Sequence, residues 1–231
     1  GASTLPEAAF KCPTVLNGGA PRTNPGPKIR DWEPGQINDL DRPAPAPLPL
    51  DRQAARMAYT GNAAIFAFNK LNAETPRRTR FVRPSEVDGS SMGASKTILA
   101  TEFFDNGNAW TSLATSSNGQ IKSHRPLPPF LGIRSGTRVF DEPDRPEPSF
   151  IYPSRSDILP KSQLDENVII NQRTRLNATG RHHPGDTANF VFVDGHVDTT
   201  TLLETVRDRL WGDRFYSMTG NNRVDLNANA F

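Results

Sequence analysis

The sequence predicts an α+β fold: a small antiparallel sheet with a C-terminal β-hairpin and a short helix, long Pro-rich loops, and an extended N-terminal arm. Three observations carry that prediction. Two β-rich runs flank Asp194-Gly195 within 188–201, a helix-start pattern follows at Thr201-x-x-Glu204, and proline punctuates both the first 50 residues and the stretch 105–165. Asp-Gly between alternating apolar residues is a strong short-range hairpin signal. Thr-x-x-Glu satisfies two orphan helix donors reciprocally. Proline removes a backbone donor and fixes φ, which shortens every regular element around it.

In chain order, residues 1–50 are dominated by Pro, Gly, Asn and Asp and end in alternating prolines between Arg42 and Leu50. Such a stretch favours a polyproline-like path, an arm laid on its own domain or across a neighbouring subunit. Residues 51–231 are expected to form one globular domain. Within it, 58–68 mixes turn and strand around Gly61, with Ile65, Phe66 and Phe68 partly in the core. The Ser- and Gly-rich 84–95 reads as a loop. The run 96–104 is apolar, β-branched and aromatic, stopped by Asp105-Asn-Gly107, and predicts a central strand. The long loop region 105–165 signals binding, assembly or ligand contact. The hairpin pairs 188–193 with 196–201 through a type I′ turn, which requires positive φ at both Asp194 and Gly195. A helix over 202–210 should pack Leu203, Val206 and Leu210 on the sheet and end at Gly212.

Composition narrows the function. A 35% hydrophobic fraction is low, yet 13 Phe are enough to build one core. Lys+Arg (27) and Asp+Glu (25) nearly cancel without a like-charge block, so the broad basic surface that nucleic acid demands is missing. Cys12 is the only cysteine, which excludes an intramolecular disulfide and a Cys-based metal cage. It reads as a small buried hydrophobe. With no run of about 18 apolar residues, no membrane span is expected.

His182, His183 and His196 lie near Asp186, Asp194 and Asp198. A transition-metal set would use His183, Asp194 and His196, and calcium on the acidic residues is the alternative. Against the transition-metal set, Asp194-Gly195 occupies a hairpin tip and His196 starts the return strand, so these side chains need not converge; no metal ligand is assigned. Ser90 and Ser91 lie in Gly89-Ser-Ser-Met-Gly93, within the Ser- and Gly-rich stretch that reads as solvated loop; with no His-Glu-x-x-His and no phosphate-cradling loop either, no catalytic residue is assigned and an enzyme is not expected. Asn177-Ala-Thr179 is the only Asn-x-Ser/Thr sequon, which makes Asn177 the candidate for a covalent glycan.

The segment from Gly180 through His182, His183 and Asp194-Gly195 to Val197 resembles the signature of prepilin-type, processing-associated His-x9-Asp-Gly proteins, a pseudopilin-like family. Similar elements are Phe10-Lys-Cys-Pro13, 59–66, 96–102, 122–126 and 210–217. Ten residues separate His183 from Asp194, one more than the family name prescribes. The resemblance implies a pilin-like head in which His182, His183, Asp194 and Gly195 are structural motif residues. It implies a structural subunit of an extracellular or cell-surface filament, a homo-oligomer assembled through the N-terminal arm and the loops. The alternative is a surface binding module or minor pseudopilin of a type II secretion-like system, holding a surface glycan or an exported protein on 105–165.

Overall fold

The computed structural model describes residues 5–15, 18–21, 28, 30, 56–66, 80–103, 126–134, 147–164, 174–218 and 222–228. Phe68, the prolines between 42 and 50 and most of 105–165 lie outside these residues. In chain order the elements are β1 (Ala20–Pro21), β2 (Arg56–Met57), β3 (Tyr59–Gly61), α1 (Pro84–Asp88), β4 (Ile98–Glu102), β5 (Leu131–Gly132), β6 (Phe150–Ile151), β7 (Thr187–Phe192), β8 (Val197–Thr201), α2 (Leu202–Arg207) and β9 (Val224–Asp225). The fold is α+β. Its centre is an antiparallel sheet in the order β3-β4-β7-β8, beside a three-stranded sheet β5-β6-β9 and a β1-β2 pair. Among the described residues no helix is long and apolar enough to cross a membrane.

One face of β7 makes the core. Ala188, Phe190 and Phe192 are buried in alternation with half-exposed neighbours, the period that a sheet with one packed face imposes. Phe190 meets Trp211 edge-on at 6.2 Å, and Phe130, Tyr152, Phe150 and Phe215 complete an aromatic cluster at centroid spacings near 5 Å. Trp211 is fully buried yet satisfied, because its indole N–H donates to Thr205 Oγ1 (2.9 Å). Asn62, also fully buried, bonds the backbone on three sides: Nδ2 donates to the carbonyls of Ile98 (2.8 Å) and Trp211 (3.1 Å), and Oδ1 accepts from Ala64 N–H (2.8 Å).

Four local expectations are corrected. The turn at Asp194-Gly195 is not type I′, because only Gly195 has positive φ (94°). Gly195 N–H donates to Phe192 O and Phe192 N–H to His196 O, a three-residue loop ending in a left-handed glycine bulge. The hairpin itself pairs 187–191 with 201–197. Residues 84–95 contain α1, started by Pro84 and by Glu86 Oε2 accepting from Arg83 N–H (2.8 Å), and a 3-10 turn at Ala94–Lys96. Helix α2 begins at the Thr201–Glu204 capping box as expected but ends early. Arg209 takes the left-handed conformation (φ 60°), and Leu210 N–H bonds Thr205 O while Arg209 N–H bonds Val206 O, a Schellman stop three residues before Gly212. Consequently Leu202 joins Val206 in the core, Leu210 packs at its margin, and Leu203 stays outside the cluster. Phe66 is 42% exposed, while Ile65 packs against the core.

The first part of the expected arm is folded onto the domain. β1 pairs antiparallel with β2, Ala58 N–H donates to Phe10 O (2.8 Å), and Cys12 and Val15 close with Ala58 a small cluster separate from the main core.

Candidate functional site

A polar row crosses the second face of the central sheet. Tyr59 on β3 is in register with Glu102 on β4, Glu102 reaches Asn189 on β7, and Asn189 is in register with Thr199 on β8. The row exists because β4 leaves β7 at this level. Glu102 O and Phe103 O turn instead to the incoming 179–183 loop, accepting from Gly180 N–H (2.8 Å) and meeting His182 Nε2 (2.9 Å). The backbone of Asn189 loses its ladder partner there. Glu102 Oε2 accepts its N–H (3.1 Å) and Thr101 Oγ1 donates to its carbonyl (3.0 Å). An orphaned strand amide is costly to bury, and these side chains replace the missing ladder bonds.

The Glu102 side chain is 2% exposed and its other oxygen, Oε1, lies 2.8 Å from His183 Nε2 and 3.2 Å from Asn189 Nδ2. Asn189 Nδ2 also sits 2.9 Å from His183 Nε2. One ring nitrogen cannot donate and accept together, so the consistent assignment is an Nε2–H tautomer donating to Glu102, with the Asn189 amide also donating to Glu102. Cys12 Sγ approaches the same oxygen at 3.9 Å and is itself 2.9 Å from Thr14 Oγ1. Burial, and then the charges of Cys12 and Glu102, push the Tyr59 hydroxyl up from its ordinary value. The cluster thus ties three chain segments together: the N-terminal residues, the sheet and the 181–183 loop.

A buried carboxylate orienting a quarter-exposed imidazole is an arrangement that can hold and pass a proton. Among the described residues, the side chains hydrogen-bonded to His183 are Glu102 and Asn189. The Cys12 thiol, 3.9 Å from Glu102 Oε1, meets the same carboxylate that His183 does. His182 is held by Phe103 O, and neither histidine meets the hairpin tip. Residue 183 bridges Thr187 at the start of β7, whereas Asp194 and His196 lie beyond the end of that strand, about 20 Å along it at the usual rise. His196 stacks on Phe192 (4.2 Å) and its Nδ1 contacts Asp194 Oδ1 at 2.6 Å. Hydrogen bonds from the His196 backbone and side chain hold Asp194 below the usual carboxylate range. His183, Asp194 and His196 therefore cannot share an ion. Among the described residues no three His, Cys, Asp or Glu side chains gather as a metal cage.

Asn177 is corrected as a glycan site. It is fully buried, its Nδ2 donates to Asp157 O (2.8 Å), and its Oδ1 accepts from Leu159 N–H (3.0 Å) and from Arg181 Nη2 (3.1 Å). The nitrogen that would carry a sugar is consumed inside the fold. Arg181, 4% exposed, also donates to Leu159 O, and burial pushes its guanidinium down to about 10.

Sequence reasoning missed Glu102, Asn189 and Asn62. Glu102 stands at the end of an apolar strand run, where a polar residue reads as a strand terminus. Nothing local marks its partners, which lie 81 to 90 positions away. Set beside known proteins, the chain matches no family model, no curated protein and no solved structure.

Proposed function

We propose that this chain is a structural subunit of an extracellular or cell-surface filament, pilin-like in kind, which assembles through its N-terminal residues and loops. One observation carries the reading: the side chains that look like chemistry in the 177–196 segment are spent on holding the fold. His182 and His183 tie a loop to β4, Asn177 and Arg181 tie it to 157–159, and Asp194 and His196 close a hairpin. Residues 5–15 supply an attachment suited to assembly, since they sit on a satellite cluster of three buried residues and leave Leu5 69% exposed. Phe81, 97% exposed, and Ile133, 41% exposed, add apolar contacts that a lone monomer leaves unused.

Electron microscopy of the native material at increasing concentration tests the reading. Regular fibres with one repeating subunit are expected, and Leu5→Asp together with Phe81→Asp should shorten or abolish them. Particles that remain monomeric at every concentration overturn it.

A further inference from the structure

The outer edge of the central sheet is closed by two carboxylates. Among the described residues β8 is the last strand in its sheet, and Val197, Asp198 and Thr199 are exposed, Val197 at 60%. Phe192 N–H bonds His196 O, so along this antiparallel pair the hydrogen-bonded positions are 196, 198 and 200. Residues 197, 199 and 201 are the non-bonded positions, and their N–H groups point away from β7. An exposed β-branched strand with outward donors is a template for another strand. Here two of the donors are already taken. Thr199 N–H donates to Asp198 Oδ1 (2.8 Å), and Thr201 N–H to Glu204 Oε2 (3.0 Å). The Thr200 and Thr201 hydroxyls donate to that same Glu204 oxygen at 2.6 and 2.8 Å. The opposite edge of the sheet is covered differently: Leu127 N–H donates to Gly61 O and Leu127 O accepts from Ala63 N–H.

The geometry points to Asp198 and Glu204 as gatekeepers that stop β8 from pairing with β8 of a second copy of this chain. The occupant follows from the register. Antiparallel self-pairing about Thr199 sets Thr199 against Thr199 and Val197 against Thr201, which aligns the outward backbone groups of both strands. It also sets Asp198 against Thr200, whose hydroxyl is bonded to Glu204. Each such dimer would bring Asp198 of one copy within about 7 Å of Glu204 of the other, twice. Like charges meet while both strands lose their own caps, so the edge stays closed. Joints of the proposed filament would then use other surfaces.

The test uses the full chain carrying Cys12→Ser, with Thr199→Cys as the reporter. In the self-paired register the two Cα atoms at 199 stand about 5.5 Å apart, within disulfide range. Cross-linking under mild oxidant is followed on non-reducing gels, with and without Asp198→Thr plus Glu204→Gln; the glutamine keeps the capping box. Removing the carboxylates should speed 199–199 cross-linking at least about tenfold. A cysteine at exposed Ser156, off this edge, should not respond. Equal rates with and without the carboxylates, or an equal rise at position 156, overturn the inference. If near-UV circular dichroism shows the double replacement misfolded, Asp198→Thr alone, an exposed change, carries the same comparison with a smaller rise.

Discussion

Glu102→Ala is the most informative single perturbation of this fold. It removes the acceptor for Asn189 N–H, for Asn189 Nδ2 and for His183 Nε2–H, at distances of 3.1, 3.2 and 2.8 Å. Each buried donor left without a partner costs about 1–3 kcal/mol, and breaking a buried charged contact by deleting one side typically costs about 3–5 kcal/mol. His183 is a quarter exposed and can rehydrate, which places the expected loss at the low end, about 3 kcal/mol. At about 2–4 °C per kcal/mol for a chain of this size, Tm should fall by roughly 6–12 °C. Glu102→Gln keeps one acceptor but turns an amide donor toward other donors, so about half that loss is expected.

Two readouts make the reasoning specific. A double-mutant cycle of Glu102→Ala with His183→Ala, measured by urea unfolding, should give a coupling of about 1–2 kcal/mol. Cys12, 3% exposed and 3.9 Å from Glu102, should also react faster with a thiol reagent in Glu102→Ala, because the N-terminal segment loses one of its ties. A Tm within about 2 °C of the unsubstituted chain, or a coupling near zero, would show that this cluster does not hold the segments together.

Two glycines separate strain from clash. Gly195→Ala meets open space and suffers only its φ of 94°, so about 1 kcal/mol should be lost in thermal unfolding. Gly180→Ala would put a methyl 2.8 Å from Phe103 O and against the His182 ring, and should cost more, about 2–4 kcal/mol, with loss of the His182 tie seen by NMR. The Thr200 hydroxyl, and then the N–H and hydroxyl of Thr201, pull Glu204 down from 4.5 to about 2. Its folded value is depressed, so its stabilisation is complete above 4.5 and fades as pH falls toward 2; Glu204→Gln should flatten that part of the Tm profile. Expressed in a glycosylating secretory host, the folded fraction should yield an unmodified Asn177 peptide by mass spectrometry, and Asn177→Ala should destabilise by about 2–3 kcal/mol.

What could be read from the sequence was what is decided locally. The β7-β8 hairpin, the central position of β4 and the start of α2 rest on alternation, β-branching and a four-residue cap, all contained in their own segments. Errors arose where two local rules competed or a distant partner decided. Asp194-Gly195 suits a type I′ turn, but the sheet register leaves three residues to connect, and only the glycine must be left-handed. Gly212 offered a helix stop, yet Arg209 took the left-handed position first, which lets the helix end where Tyr152 Oη lies 2.7 Å from the carbonyl oxygens of both Arg209 and Gly212 and can give its one proton to either. Pro84 and Glu86 were a helix start concealed by the serines and glycines after them. Asn177 sat in a polar run that reads as surface, and only the approach of 157–159 and Arg181 makes it interior.

The histidines show most clearly how a motif can mislead. Clustered with aspartates in sequence, they suggest an ion or a catalytic base. In the fold, the strand between them separates His183 from His196, and each takes a different partner with a different task. His183 turns to Glu102, which is there because β4 departs from β7 and leaves Asn189 without a ladder partner. His182 turns to the carbonyl that β4 exposes by that departure. The same divergence of two strands thus explains the buried glutamate, both histidine ties and the seat of Cys12. A motif of this kind constrains where a loop re-enters a sheet, and its residues should tolerate substitution according to which group each one satisfies, a carbonyl for His182 and a carboxylate for His183, not according to any shared chemistry.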